Sequence, residues 1–281
     1  MFADEAGSPI VHNYSSSKHD YIHAANTLWS PSARLPIRTI IQVDEDRFIV
    51  ANERGDVNIL TDVTNRPVSI TDCFRMTAAK PIFEFCSGLK WLLSVSDRSS
   101  ISVVDILRCS RLFTANLGDV DISTLRSFRE SPNLVGVLSG SLSIWDLRDY
   151  RDPTITFPTR SEDILTDFQP LPYGEMSMVA SSIDGNVLQL DMRSPQQIRN
   201  LAKYKASSLD VCEWGPMVLM RGETLSVLDI TSGIVSSVVD AIYPQRSALN
   251  AIPCSAFHKM KPTLGFVANT NSLHVVGVVG A

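Results

Sequence analysis

Four aspartates invite a chemical reading first: Asp105, Asp146, Asp191 and Asp229. Paired carboxylates can hydrolyse a glycosidic bond, one protonating the leaving oxygen while the other attacks the sugar or activates water. Each of the four, however, ends the same kind of apolar run, as in Ile101-Ser102-Val103-Val104-Asp105 and Leu225-Ser226-Val227-Leu228-Asp229. A residue repeated in phase belongs to a repeat unit, and the repeat keeps the carboxylates apart. Their expected work is structural, accepting hydrogen bonds from turn amides.

Other reactive residue types are scattered. Gly136-Val137-Leu138-Ser139-Gly140 has the composition of a nucleophile elbow, but its spacing is G-x-x-S-G and it lies in a hairpin, not between a strand and a helix. Phosphate-cradling glycine loops are missing from the sequence. His19 and His23 are four apart, a metal-binding spacing on a helix, yet their segment lacks a helical apolar period and a third ligand. Solvated polar residues are the simpler reading, and His274 alternates with apolar residues as a strand residue does. The cysteines, Cys73, Cys86, Cys109, Cys212 and Cys254, are odd in number and widely spaced, which suits free thiols in a reducing compartment. Trp29, Trp91, Trp145 and Trp214 suit packing better than a ligand cage. The sequence leads us to expect no enzyme, no metal and no cofactor.

The elements that position these residues are hairpins. In Asn133–Arg148, Leu134 to Leu138 and Leu142 to Leu147 read as two strands joined by Ser139-Gly140-Ser141, small residues suited to a tight turn. Its ending, Leu142-Ser143-Ile144-Trp145-Asp146, has the form of a propeller blade's Trp-Asp strand. The same position falls at Thr61, Asp105, Asp146, Asp191, Asp229 and Gly277, at intervals of 44, 41, 45, 38 and 48 residues. Those intervals lie near the ~40–45 residues of a four-stranded blade. The expected fold is therefore all-β, a propeller with six clear blades over residues 37–281. Residues 1–36 hold a degenerate region, in which Leu28-Trp29-Ser30 suggests a truncated seventh blade. The sixth unit ends three strands in, so Ile10–Tyr14 is expected to supply its fourth strand and close the ring. A deficient blade would also leave a groove where a partner could add strands.

With Leu142-Ser143-Ile144-Trp145-Asp146-Leu147-Arg148 and its in-phase repeats, the chain resembles the WD40-repeat family. It lacks that family's Gly-His pair before each blade and has Trp at the Trp-Asp position only once, so the family's His–Ser–Trp–Asp network should be incomplete in most blades. Within the family it looks like the small WD-repeat nucleoporins of the Y-shaped nuclear pore scaffold. The segments that carry this are Arg47-Phe48-Ile49-Val50-Ala51 with Gly55-Asp56-Val57, Ser123-Thr124-Leu125, the Trp-Asp blade itself, and the ending from Ser247 through Leu264-Gly265-Phe266-Val267. The resemblance implies a non-enzymatic scaffold subunit docked on a helical-solenoid nucleoporin at the nuclear envelope. Trp145-Asp146-Leu147-Arg148 also resembles the W-D-x-R motif of WD proteins that serve cullin-type ubiquitin ligases as substrate receptors, and Asp191-Met192-Arg193 echoes it. Against that, Arg148 could simply follow a blade strand at the surface.

Composition narrows the partners. Hydrophobic residues make up 44% and charged residues 20%, and 25 basic against 30 acidic residues leave a net charge of −5 without a basic run. Direct nucleic-acid binding therefore has no compositional support. Apolar runs fall short of the ~20 residues of a membrane span, and the start, Met-Phe-Ala-Asp-Glu, is unlike a secretory signal. A nuclear or cytoplasmic protein with protein partners is expected, without a small-molecule substrate or direct membrane contact. Propellers bind through variable loops, here Thr61–Lys80, Arg148–Asp163 and Asp240–Met260. Aromatic and arginine residues there, Tyr150, Arg151, Tyr243 and Arg246 together with Arg148, are the candidate partner contacts. Each could equally be an ordinary loop residue.

Overall fold

The computed structural model describes residues 2–3, 9–11, 26–27, 37–44, 47–52, 56–61, 69–75, 82–158, 164–173, 176–213, 215–237, 254–257, 264–268 and 273–277. They divide between two compact units, Met1–Asp121 and Ile122–Ala281. All regular structure among them is β.

The first unit holds three antiparallel sheets. β1 (Phe2–Ala3), β2 (Pro9–Val11) and β3 (Asn26–Thr27) make a short one. β4 (Ile37–Gln42), β5 (Phe48–Asn52), β6 (Asp56–Thr61) and β7 (Ser69–Arg75) form a four-stranded meander. So do β8 (Ile82–Cys86), β9 (Trp91–Asp97), β10 (Ser100–Asp105) and β11 (Ser110–Asn116). The second unit holds three further four-stranded meanders. These are β12 (Thr124–Ser127) with β13 (Leu134–Ser139), β14 (Ser141–Asp146) and β15 (Ile155–Thr156); β16 (Leu165–Pro170) with β17 (Ser177–Ser182), β18 (Asn186–Asp191) and β19 (Arg199–Lys203); and β20 (Ala206–Val211) with β21 (Met217–Gly222), β22 (Leu225–Asp229) and β23 (Val235–Ser237). A three-stranded sheet of β24 (Cys254–Phe257), β25 (Leu264–Ala268) and β26 (Leu273–Gly277) ends it. Five four-stranded sheets with one topology are the blades of a propeller-type fold.

Burial explains the strand sequences. β6, β10, β13 and β14 have four consecutive buried residues, so both faces of these middle strands are covered. Such strands carry near-continuous apolar runs instead of strict alternation. The last strands have one free edge and more polar sequences, and most of β11 and all of β23 are exposed. In the second unit, Leu138, Leu142, Ile144, Phe157, Phe168 and Met178 share one core. A fully buried side chain of this size contributes about 1.5–3 kcal/mol. Gly136 is part of that packing, since a Cβ there would lie 2.5 Å from the Phe168 ring. In the first unit Ile49, Val57, Leu92 and Val104 form the corresponding core.

One expectation falls largely outside the described residues, and one needs correction. Ile10 pairs with Phe2 on one side and Thr27 on the other, which makes β2 the central strand of its own sheet. Of the expected Ile10–Tyr14 strand, Ile10 and Val11 thus lie in β2, and residues 12–14 lie outside the described residues. The stretches read as long loops also contain strands: β7 lies within Thr61–Lys80, β15 within Arg148–Asp163 and β24 within Asp240–Met260. Leu28-Trp29-Ser30, Trp214, Tyr243 and Arg246 lie outside the described residues.

Candidate functional site

The repeated aspartates each close the third strand of a meander and face the turn that follows. Asp105 Oδ1 accepts from the amides of Leu107 at 2.9 Å and Arg108 at 3.2 Å. Asp229 Oδ1 accepts from the amides of Thr231 (2.8 Å) and Ser232 (3.4 Å), and its Oδ2 from Ser232 Oγ. These contacts hold the Asp229 carboxyl below its usual range, the Thr231 amide being the largest cause. Each carboxylate is engaged by its own turn, and among the described residues no group of three His, Cys, Asp or Glu stands together as a metal set.

At Asp146 and Asp191 the turn adds an arginine. Arg148 donates its amide (2.9 Å), Nε and Nη2 (2.6 Å) to Asp146. Arg193 makes the same three contacts with Asp191 at 2.9, 3.0 and 2.7 Å. Arg148 and Arg193 therefore lower the pKa of Asp146 and Asp191, respectively. The carboxylates are the covered ends of these pairs: Asp146 and Asp191 side chains are 19% and 30% exposed, against 70% and 64% for Arg148 and Arg193. Arg151 forms a third clamp of the same type with Asp149, and Tyr150 between them is half-buried. Thus Arg148, Tyr150 and Arg151 occupy one turn of one sheet.

Trp145 is buried, and its Nε1 donates to Ser143 Oγ at 2.8 Å. The equivalent positions Asn58, Ser102 and Ser226 are also buried polar residues. Trp91 packs edge-on against Phe113 with ring centroids 6.2 Å apart.

A second set of acidic residues lies on the leading strands, where sequence reading placed no site. Asp167 on β16 is buried, and its carboxylate accepts from the Phe168 amide, the Leu209 amide of β20 (both 2.9 Å) and Arg126 Nη2 of β12 (3.2 Å). It thereby ties three consecutive sheets. Burial raises its pKa despite the opposing pull of Arg126 and the Leu209 amide. Asp210 on β20 repeats the arrangement one sheet on, accepting from the Phe257 amide of β24 at 2.6 Å. Thr166 Oγ1 and Gln169 Nε2 add bonds to the Ala206 and Leu209 carbonyls at 3.0 Å. Partners on β20 advance with those on β16, so the two leading strands run in the same direction. The signal was an aspartate inside a short strand, in Leu165-Thr166-Asp167-Phe168 and Leu209-Asp210-Val211, which resembles an ordinary solvated strand residue.

No protein-family model matches the sequence, and no curated protein matches it in a sequence search. Among solved structures, the chain is similar to Raptor from Chaetomium thermophilum, with a TM-score of 0.71 and 14% identity. The likeness covers 89% of this chain and 24% of that one, so the chain spans about a quarter of its neighbour's length. At that identity the likeness speaks to the fold, and together with the repeated meanders it makes the chain an all-β, WD40-like β-propeller.

Proposed function

We propose that the chain is a non-catalytic protein-interaction scaffold, a WD-repeat subunit of the nuclear pore Y-complex that docks on a helical-solenoid nucleoporin at the nuclear envelope. The observation that carries the scaffold reading is the repeated four-stranded meander with its repeated turns. Such a fold holds many loops on a rigid frame, and loops on rigid frames are where binding residues concentrate. The Asp105, Asp146, Asp191 and Asp229 carboxylates are each occupied within a turn, which supports a structural role over a catalytic one. The nucleoporin identity is supported by the sequence resemblance of the Arg47–Ala51 and Leu142–Arg148 segments and of the ending from Ser247. Affinity purification of the full chain with mass spectrometry tests it. Outer-ring nucleoporins in stoichiometric amounts are the expected result, and turnover of a small molecule by the purified chain would overturn the scaffold reading.

One observation favours a second reading, a substrate receptor of a cullin-type ubiquitin ligase: in Trp145-Asp146-Leu147-Arg148 the arginine is 70% exposed and held in place by Asp146. An adaptor–cullin assembly that disappears on Arg148→Ala would replace the nucleoporin reading with this one.

A further inference from the structure

We propose that β11 is a self-association edge: two copies of this chain pair their β11 strands antiparallel about a two-fold axis at Thr114, joining two sheets into one. The proposal goes beyond the scaffold reading and stands or falls separately from it. β11 closes the order β11-β10-β9-β8, so it bonds β10 on one side and ends the sheet on the other. Ser110, Arg111, Leu112, Thr114 and Asn116 along it are exposed.

A strand edge displays a row of backbone donors and acceptors whose complement is another strand, and folded proteins blunt such edges by brevity or by charge. The other last strands do so. β15 and β23 have two and three residues, and β19 carries exposed Arg199 and Lys203. β7, of seven residues, has Asp72 at its centre. β11 also runs for seven residues, about 23 Å at ~3.3 Å each, with Arg111 as its one charged side chain. Leu112 is 39% exposed, and Leu107 in the turn before the strand is 60% exposed.

Charge selects a second copy as the occupant. Arg108 and Arg111 lie at the start of the edge, Asp119 and Asp121 just past its end. Arg108 faces Asp105 and Arg98 faces Asp121, each at 3.8 Å, so these four are engaged. Arg111 and Asp119 are exposed, and among the described residues neither side chain has an ion-pair or hydrogen-bond partner. A second β11 laid antiparallel brings the Arg111 of each copy toward the Asp119 of the other; a parallel one would set like charge on like. A two-fold axis is the commonest way for two copies to meet. The register follows from a β-bulge: Val103 pairs Phe113 and Val104 pairs Arg111, so Leu112 is the extra residue and regular pairing runs from Phe113 to Asn116. With Thr114 on the axis, Phe113 pairs Ala115 inside that regular stretch and Arg111 stands opposite Leu117. Asp119 then lies on the diagonal from Arg111, a separation that long side chains span.

The test is sedimentation velocity of the full chain over about 1–200 µM, the range that populates an interface smaller than the ~1,200 Å² of standard complexes. A dimer of micromolar affinity that weakens as salt rises is the expected species. Arg111→Asp or Asp119→Arg alone should weaken it about tenfold or more, and the two together should restore it, because the exchange of sign rebuilds the pair. The register is read by Thr114→Cys with oxidised glutathione. Opposed residues of an antiparallel pair bring their Cα atoms within about 4.5–5.5 Å, so a disulfide-linked dimer should appear on a non-reducing gel. Ser110→Cys, whose two copies would lie about 26 Å apart, and the parent chain should give none. A monomer at every concentration, a dimer indifferent to the single charge reversals or not restored by the double exchange, or a cross-link at Ser110 and not at Thr114 would each overturn the proposal. So would a monomeric chain whose β11 amides are protected only by an extended segment of another protein. Melting temperatures within a few degrees of the parent show that the charge variants are folded; should one fail to fold, the Thr114→Cys cross-link decides alone.

Discussion

The second unit carries two sets of aspartates that do opposite things. Asp146, Asp191 and Asp229 sit at strand ends, half-covered, and tie their own turns. Asp167 and Asp210 sit on leading strands and tie one sheet to the next. The first set has its carboxyls below the ordinary range because cations and amides lie close by in solvent-accessible turns. Asp167 has its carboxyl raised because burial outweighs the same kinds of donor. One side chain thus serves as a local turn device or as a long-range link according to its place on the sheet, at the end of a third strand or within a leading one. The links join sheet to sheet, and the turn aspartates act within single sheets.

The sharpest way to break this comparison is Asp167→Ala. It leaves Arg126 and the Leu209 amide without their buried partner, and should cost about 3–5 kcal/mol in equilibrium urea unfolding. A loss like that of a turn aspartate would erase the distinction. Next in size is Ser143→Ala, which removes the acceptor of the buried Trp145 Nε1. A loss of about 1–3 kcal/mol is expected from an orphaned buried donor. Asp191→Ala should cost only about 1 kcal/mol, the scale of a lost cap in a solvated turn. Arg148→Ala should leave the melting temperature unchanged, because its partner retains the turn amide.

Acid sharpens the same contrast. Folded pKa values of Asp146, Asp191 and Asp229 lie below the unfolded ~3.9. Their stabilisation is therefore complete above about pH 4 and is lost as pH falls through the lowered folded values. For Asp167 the sign reverses. Its folded pKa exceeds the unfolded one, so stability from this group falls as pH rises through the window between them. Changing all three turn aspartates to Asn should flatten the acid-unfolding profile below about pH 4, whereas Asp167→Asn should flatten it just above. Coincident changes in the two profiles would contradict the assignment.

The fold was legible because its middle strands are buried on both faces, which forces apolar runs, and because an aspartate marks the turn after most of them. Leu134–Ser139 and Ser141–Asp146, with Gly140 at a φ of 81° between them, follow the reading of Asn133–Arg148 closely. The last strands were hidden, since β7 and β15 border open edges and need no apolar pattern: Ser69–Arg75 and Ile155–Thr156 read as loop. At the N-terminus, strands of two and three residues leave too little pattern to choose between partners. Of the candidate partner contacts, Arg148, Tyr150 and Arg151 fall in one turn. Asp167 escaped notice because a buried link and a solvated strand residue have the same one-dimensional pattern.

Residue-resolved hydrogen exchange on the full chain tests the division between links and turns most directly. The account predicts that the Leu209 and Phe257 amides exchange slowly, while the Arg193 and Thr231 amides are fast. Leading-strand amides that exchange as fast as turn amides would contradict it.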